Sequence, residues 1–338
     1  MKTGKYLILC LFITLIFACE HKLQPGQNIT KEEHIEKHGD FFGEKAPGDT
    51  AVIFAPGFIS TPLYTRDITF TPDGKEAYFC VSAQSYNLIF ETRQDSNGKW
   101  SIPKPASFIR NFEFMYFEPF IDFDGKKMYF LSNMPDKDSI EGDEDIWYTE
   151  RTGNGWSQPK NLGYPVNTDG SEFFPSLTKT GTLYFTRQLK GDENSYIFRS
   201  KQVNGKFQIP EKLPAEVNCG SARFNAMVSP DEDFIIVPAM GMSSNEGTDY
   251  YFVFNMGDNK WSEPINAGNQ MNSKARREFS ASLSYNGKYL FFMSDRGNEE
   301  MTDFNLFDLV NKNASILNGN SNIYWVGVDF IEKLRPKK

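Results

Sequence analysis

The chain has 338 residues and a formal charge of −8, from 36 Lys+Arg against 44 Asp+Glu. That balance argues against nucleic acid, whose phosphates need a basic face, and 15% aromatic residues are too many for a disordered chain. The three histidines, His21, His34 and His38, all precede the main body of the chain, which argues against a histidine triad or a His-ligated zinc site there.

Lys2 and Lys5 open the chain, and an almost wholly apolar run follows from Tyr6 to Ala18. The run is short for a bilayer span and fits the hydrophobic region of a secretory signal. Ala18 before Cys19 resembles a bacterial lipobox, with Cys19 as the lipid-modified first residue. Residues 1–18 are therefore expected to be a lipoprotein signal peptide. Residues 19–49 are polar, carry the histidines, and include Pro25, Gly26, Pro47 and Gly48. A flexible tether is expected there. His34 and His38 stand i, i+4 but read as solvated linker residues, so no metal site is expected.

From residue 50 onward one pattern recurs. A turn is followed by an apolar strand: Thr71-Pro-Asp-Gly74 then Ala77–Cys80, Asp122-Phe-Asp-Gly125 then Met128–Leu131, Thr178-Lys-Thr-Gly181 then Leu183–Thr186. Ser229-Pro-Asp-Glu232 then Phe234–Val237, and Ser284-Tyr-Asn-Gly287 then Leu290–Met293, complete the set. The fourth turn positions are spaced 51, 56, 51 and 55 residues. Asp-Gly and Asn-Gly between apolar runs are strong hairpin signals. Each copy continues with a third strand: Leu88–Phe90, Ile146–Tyr148, Tyr196–Phe198, Tyr250–Val253 and Ile323–Val326. Four copies add an edge element with a proline: Trp100–Pro103, Trp156–Pro159, Phe207–Pro210 and Trp261–Pro264. The fifth lacks it, and Val52–Pro56 is the segment that would complete its sheet. Four short strands per repeat at this spacing predict an all-β fold, a β-propeller. Five blades are favoured, with six as the alternative, over residues 50–333; residues 334–338 form a tail.

Thr71-Pro-Asp-Gly-Lys75 and Ser229-Pro-Asp231, each before an apolar strand, resemble the WD40-like repeats of TolB-type propellers. Trp156–Gly163, Pro165-Val-Asn167 and Glu172-Phe-Phe-Pro175 are similar to the same family as found in envelope lipoproteins of the Bacteroidetes type. The resemblance implies a propeller at the cell envelope, in the periplasm or on the outer membrane. Some members bind protein partners and many have no assigned activity. The chain lacks the N-terminal α/β domain of TolB, so its partners do not transfer.

Propeller function usually lives at the channel mouth where the innermost strands begin. Seven residues before the fourth turn position stand Asp67, Glu118, Phe174, Asn225 and Ser280. Nine before it stand Thr65, Tyr116, Glu172, Arg223 and Glu278. Strand alternation places both sets on one face, with Arg66 and Arg277 on the other. The candidate binding residues are thus Asp67, Glu118, Glu172, Arg223 and Glu278. No catalytic residue, cofactor or metal is assigned. The acidic stretch from Asp136 to Asp145 lacks the ligand spacing of a calcium loop. Trp100, Trp156 and Trp261 are expected to pack between blades rather than stack on sugars. Cys80 reads as a buried strand residue and Cys219 as a free loop thiol.

The expected function is a lipid-anchored, non-enzymatic envelope module that binds a protein partner or a glycan. The alternative is a glycoside hydrolase or polysaccharide lyase using the channel carboxylates, which requires a pair roughly 5–10 Å apart.

Overall fold

Four of the five repeats turn back where glycine accepts a positive φ. Gly74, Gly125 and Gly287 sit at φ 69, 70 and 69, and their N–H groups donate to Thr71, Asp122 and Ser284 carbonyls at 2.8–3.0 Å. In the fourth repeat Glu232 takes the same conformation at φ 60. Its carboxylate is drawn to Arg199 Nη1 at 3.1 Å and to the Tyr184 hydroxyl.

The computed structural model describes residues 35–136, 143–153, 155–243, 246–297 and 301–337. The expected signal peptide at 1–18, Cys19, His21, His34 and most of the acidic stretch lie outside the described residues.

Five antiparallel sheets follow, one per repeat. Blade one is Tyr64–Phe70, Glu76–Ala83, Tyr86–Arg93 and Lys104–Pro105; blade two is Tyr116–Ile121, Lys127–Ser132, Asp145–Thr152 and Lys160–Asn161. Blade three is Ser171–Leu177, Leu183–Gln188, Ser195–Ser200 and Glu211–Lys212. Blade four splits its inner strand into Ala222–Arg223 and Met227–Val228, then adds Phe234–Met240, Thr248–Gly257 and Ile265–Asn266. Blade five is Glu278–Leu283, Tyr289–Ser294 and Asn322–Gly327. Its outermost strand is Val52–Ile53, with Val52 opposite Trp325 and Ile53 opposite Tyr324. The ring is a five-bladed propeller closed by its own N-terminal strand, as the repeat arithmetic predicts.

In the other four blades the outermost strand begins one residue after the repeated proline, at Lys104, Lys160, Glu211 and Ile265. Proline has no N–H to give the ladder, so pairing starts where donors resume. Three asparagines pin the third strands. Asn167, Asn218 and Asn272 each accept from the backbone N–H of Ile146, Ile197 or Tyr250 and donate to the carbonyl of the same residue.

The expected tether is corrected at its end. Phe41 and Phe42 are buried, and Phe42 packs on Trp100 with ring centroids 4.4 Å apart. Phe41 stacks on Tyr285 of blade five at 5.0 Å. These two rings fill the seam between blades one and five, so the folded body reaches ahead of residue 50. The tryptophans serve packing: Trp156 is buried and its Nε1 donates to the Tyr78 hydroxyl of blade one at 2.8 Å. Cys80 and Cys219 are free and buried.

Candidate functional site

The innermost strands do not alternate evenly. Their pairing slips between Arg66 and Ile68, Phe117 and Phe120, Phe173 and Ser176, and Phe279 and Ser282. In blade four the strand breaks between Arg223 and Met227. At each slip one non-glycine residue takes a left-handed conformation: Asp67 at φ 49, Glu118 at 59, Phe174 at 54, Asn225 at 50 and Ser280 at 63. This conformation costs an L-residue energy, and a bulge is the usual place for it. Those five are the residues seven before each turn position. The bulge re-aims them, so the faces expected from simple alternation do not hold.

Arg66 shows the consequence. Alternation turns it away from Asp67 and Glu118; the bulge turns it toward them. Its Nε donates to Asp67 Oδ2 at 2.6 Å and its Nη2 to Glu118 Oε1 at 2.5 Å. The guanidinium lies over the rings of Phe117 and Phe279, at 5.2 and 5.0 Å. Phe224 packs edge-on against Phe279 at 5.4 Å. Arg277 does stand apart, paired with Asp295 at 3.0 Å.

Glu118 is the hub of the floor. Its Oε1 also accepts from Asn225 Nδ2 at 2.9 Å, and its Oε2 from the Phe174 N–H at 2.7 Å. Asn225 Nδ2 reaches Ser280 Oγ at 3.2 Å. With Arg66, these bonds tie all five blades across the axis. Burial pushes the Glu118 carboxyl up to about 7, Arg66 opposing and Asp67 adding to the rise. Asp67 is nearly as buried, and its Oδ1 has no hydrogen-bond donor among the described residues.

The other three candidates sit elsewhere. Glu172 accepts from Thr168 N and Oγ1 at 2.9 and 2.7 Å and pairs with Arg187 Nε at 2.7 Å. Glu278 accepts from Ser273 N and Oγ and Ser294 Oγ, and pairs with Arg296 Nη2 at 2.8 Å. Both are held above the usual carboxylate range by burial. Arg223 donates to the carbonyls of Cys219, Ser195 and Gly220. These residues brace the loops that enter the inner strands. Of the five candidates, the structure brings together Asp67 and Glu118.

A cavity of about 360 Å³ opens on the far side of this floor, where the inner strands run into the repeated turns. All five blades line it. Asp67, Glu118, Phe174 and Ser280 form its floor, and Thr69, Phe120, Ser176, Met227 and Ser282 its middle ring. The rim is the second residue of each turn: Pro72, Phe123, Lys179, Pro230 and Tyr285. Phe120 and Phe123 pack edge-on at 6.0 Å. Phe123 is 41% exposed, and Lys179 pairs with Asp231 at 2.9 Å. The sequence reading placed the mouth at the strand starts and so missed these rim and ring residues. The signal was present, since all five rim positions are fixed by the turn motif.

No family model matches the chain, and no curated protein sequence is similar to it. Solved structures align with most of the chain at low identity. TolB from Acinetobacter baumannii is 17% identical over 78% of this chain and 54% of that chain, with a TM-score of 0.45. A putative TolB from Agrobacterium tumefaciens is 13% identical over 79% and 91%, with a TM-score of 0.46. An α-L-arabinofuranosidase from Podospora anserina, solved with cellotriose, is 10% identical over 83% and 98%, with a TM-score of 0.47. The chain spans about half the length of the Acinetobacter protein.

Proposed function

We propose that this protein is a non-enzymatic binding module of the bacterial cell envelope. A lipid on Cys19 holds it to a membrane, and a protein partner or glycan presents a terminal group to the central cavity. The observation that carries this reading is the cavity itself, walled by five blades and floored by two carboxyl groups, Asp67 and Glu118, that share one guanidinium. Hydrolysis by two carboxyl groups requires one to donate a proton and the other to attack or activate water. Glu172 and Glu278 are spent on loop braces, and Asp67 and Glu118 share one guanidinium. That arrangement favours recognition over bond cleavage. The envelope address rests on the Lys2–Cys19 pattern and the TolB-type motifs.

The test uses the full-length protein in native membranes and a panel of envelope polysaccharides and proteins. Binding without release of reducing ends, weakened by Phe123→Ala, supports the reading. Reducing ends that appear with the wild type and vanish in Glu118→Gln would make the protein a hydrolase instead. Labelling with a fatty-acid probe, lost in Cys19→Ser, checks the anchor.

A further inference from the structure

The chemistry of the cavity narrows what enters it. Two carboxyl groups, Asp67 and Glu118, meet a single guanidinium at the floor. Full ionisation leaves one negative charge unbalanced in a site walled by Pro119, Phe120, Pro175 and Met227. A buried unbalanced charge is costly and is relieved by a counter-ion or a proton. Asp67 Oδ1 adds a buried acceptor with no donor among the described residues, and such atoms call for a missing partner. The rim and middle ring, by contrast, carry the flat apolar surfaces of Phe120, Phe123 and Tyr285. A volume of about 360 Å³ suits one small group or the end of a larger ligand.

We propose that the central cavity binds an organic ammonium ion, its nitrogen donating to the Asp67 and Glu118 carboxylates and its apolar body lying against Phe120, Phe123 and Tyr285. This rests on the reading of the protein as a binding module, and it names the ligand class. An uncharged sugar hydroxyl satisfies the orphaned acceptor but leaves the charge standing. A carboxylate or phosphate adds to it. Aromatic faces beside the ammonium contribute further through their negative π-surfaces.

A proton on Glu118 relieves the same charge, and burial holds that carboxyl up to about 7. The groups facing Glu118 are Arg66, Asp67 and Cys80 of blade one, the Phe174 N–H of blade three and Asn225 of blade four. The ammonium displaces that proton into solvent. Binding is therefore linked to pH: only the deprotonated site is competent, so the apparent affinity scales with its fraction.

The experiment is calorimetric titration of the full-length protein with benzylamine, benzyl alcohol and benzoate, three probes with one body and different charge. Benzylamine is expected to bind at least about tenfold tighter than either of the others. Its Kd is expected to fall about tenfold between pH 6 and pH 8, with fractional proton release near pH 7 measured in two buffers. Phe123→Ala, at the exposed rim, is expected to weaken binding several-fold without altering the unfolding midpoint, and Asp67→Asn to abolish the preference for the amine. Equal binding of benzylamine and benzyl alcohol, a flat pH profile, or no benzylamine heat up to about 10 mM overturns the inference. Polysaccharide or protein binding that persists in that event leaves the binding-module reading standing. Amine binding with hydrolysis sinks that reading while keeping the ligand class.

Discussion

Arg66 of blade one donates through Nη2 to Glu118 Oε1 of blade two at 2.5 Å, while its Nε holds Asp67 at 2.6 Å. One guanidinium is thus the counter-ion of two buried carboxyl groups. Removing a partner from a buried ion pair is far costlier than its net worth, because the other charge stays buried. Arg66→Met is expected to lower stability by about 3–5 kcal/mol. Adding Glu118→Gln to that variant removes one stranded charge and should restore at least about 1 kcal/mol. Urea unfolding of the two variants and the wild type gives both numbers. A single-variant loss under about 1 kcal/mol would mean that the channel floor carries little of the fold's stability.

The same site sets an inverted pH dependence. Burial raises the Glu118 carboxyl from 4.5 to about 7 on folding, and burial raises Asp145 to about 6. A group raised in the folded state holds its proton more tightly there. Its contribution is complete below the unfolded value and is lost as pH climbs through the folded one. For Glu118 the loss amounts to about 3 kcal/mol between pH 4.5 and 7. The carboxylates held low, such as Glu150 and Glu332, are exposed and weigh little against it. The urea midpoint should be higher near pH 5 than near pH 8, and Glu118→Gln should make that slope shallower, Asp145 supplying part of what remains. A wild-type midpoint that rises over this range would contradict the assignment.

Legibility followed local chemistry. Turn glycines, aromatic strands and repeated prolines are written in neighbouring residues, so the blades and the Val52–Ile53 closure could be read directly. The count of seven back from each turn lands on the five bulge positions, of which only Asp67 and Glu118 were among the five candidates. What alternation could not supply was the bulge. Asp67, Glu118, Phe174, Asn225 and Ser280 enter the left-handed region without a glycine to announce it. The ring of blades forces that conformation through contacts between distant residues, such as Glu118 N–H to Cys80 Sγ at 3.3 Å. One misjudged rotation then placed Arg66 on the wrong face and left the cavity at the unexpected mouth.

The asparagine pins make a separate prediction. Asn272 accepts from Tyr250 N at 2.7 Å and donates to Tyr250 O at 3.1 Å, and both groups are buried. Asn272→Ala leaves a donor and an acceptor unpaired away from water. The expected loss is about 2–3 kcal/mol by urea unfolding. Asn272→Asp keeps the acceptor for Tyr250 N but sets its second oxygen against Tyr250 O, so it should lose less at acidic pH, where the protonated acid regains a donor, than near neutral pH. Equal losses in both variants would mean that packing, not pairing, is what Asn272 supplies.

Closure of the ring is the final test, because the Val52–Ile53 strand is short and relies on the residue after it. Phe54 is fully buried, its N–H donates to Ile323 O at 2.8 Å, and its ring meets Phe291 at 4.8 Å and Trp325 at 5.0 Å. Phe54→Ala deletes the ring but keeps the backbone bond. It should cost about 3–5 kcal/mol through lost burial and the cavity left behind. Because Phe42 and Phe70 also lean on this ring, the damage should spread along the seam between blades one and five. Limited proteolysis should then cut near residues 43–50 well before the other blades open, whereas Phe123→Ala, exposed at the rim, should cut like the wild type. Uniform cleavage of all blades in Phe54→Ala would show that the propeller unfolds as one unit and that the N-terminal strand is no weaker than the rest of the ring.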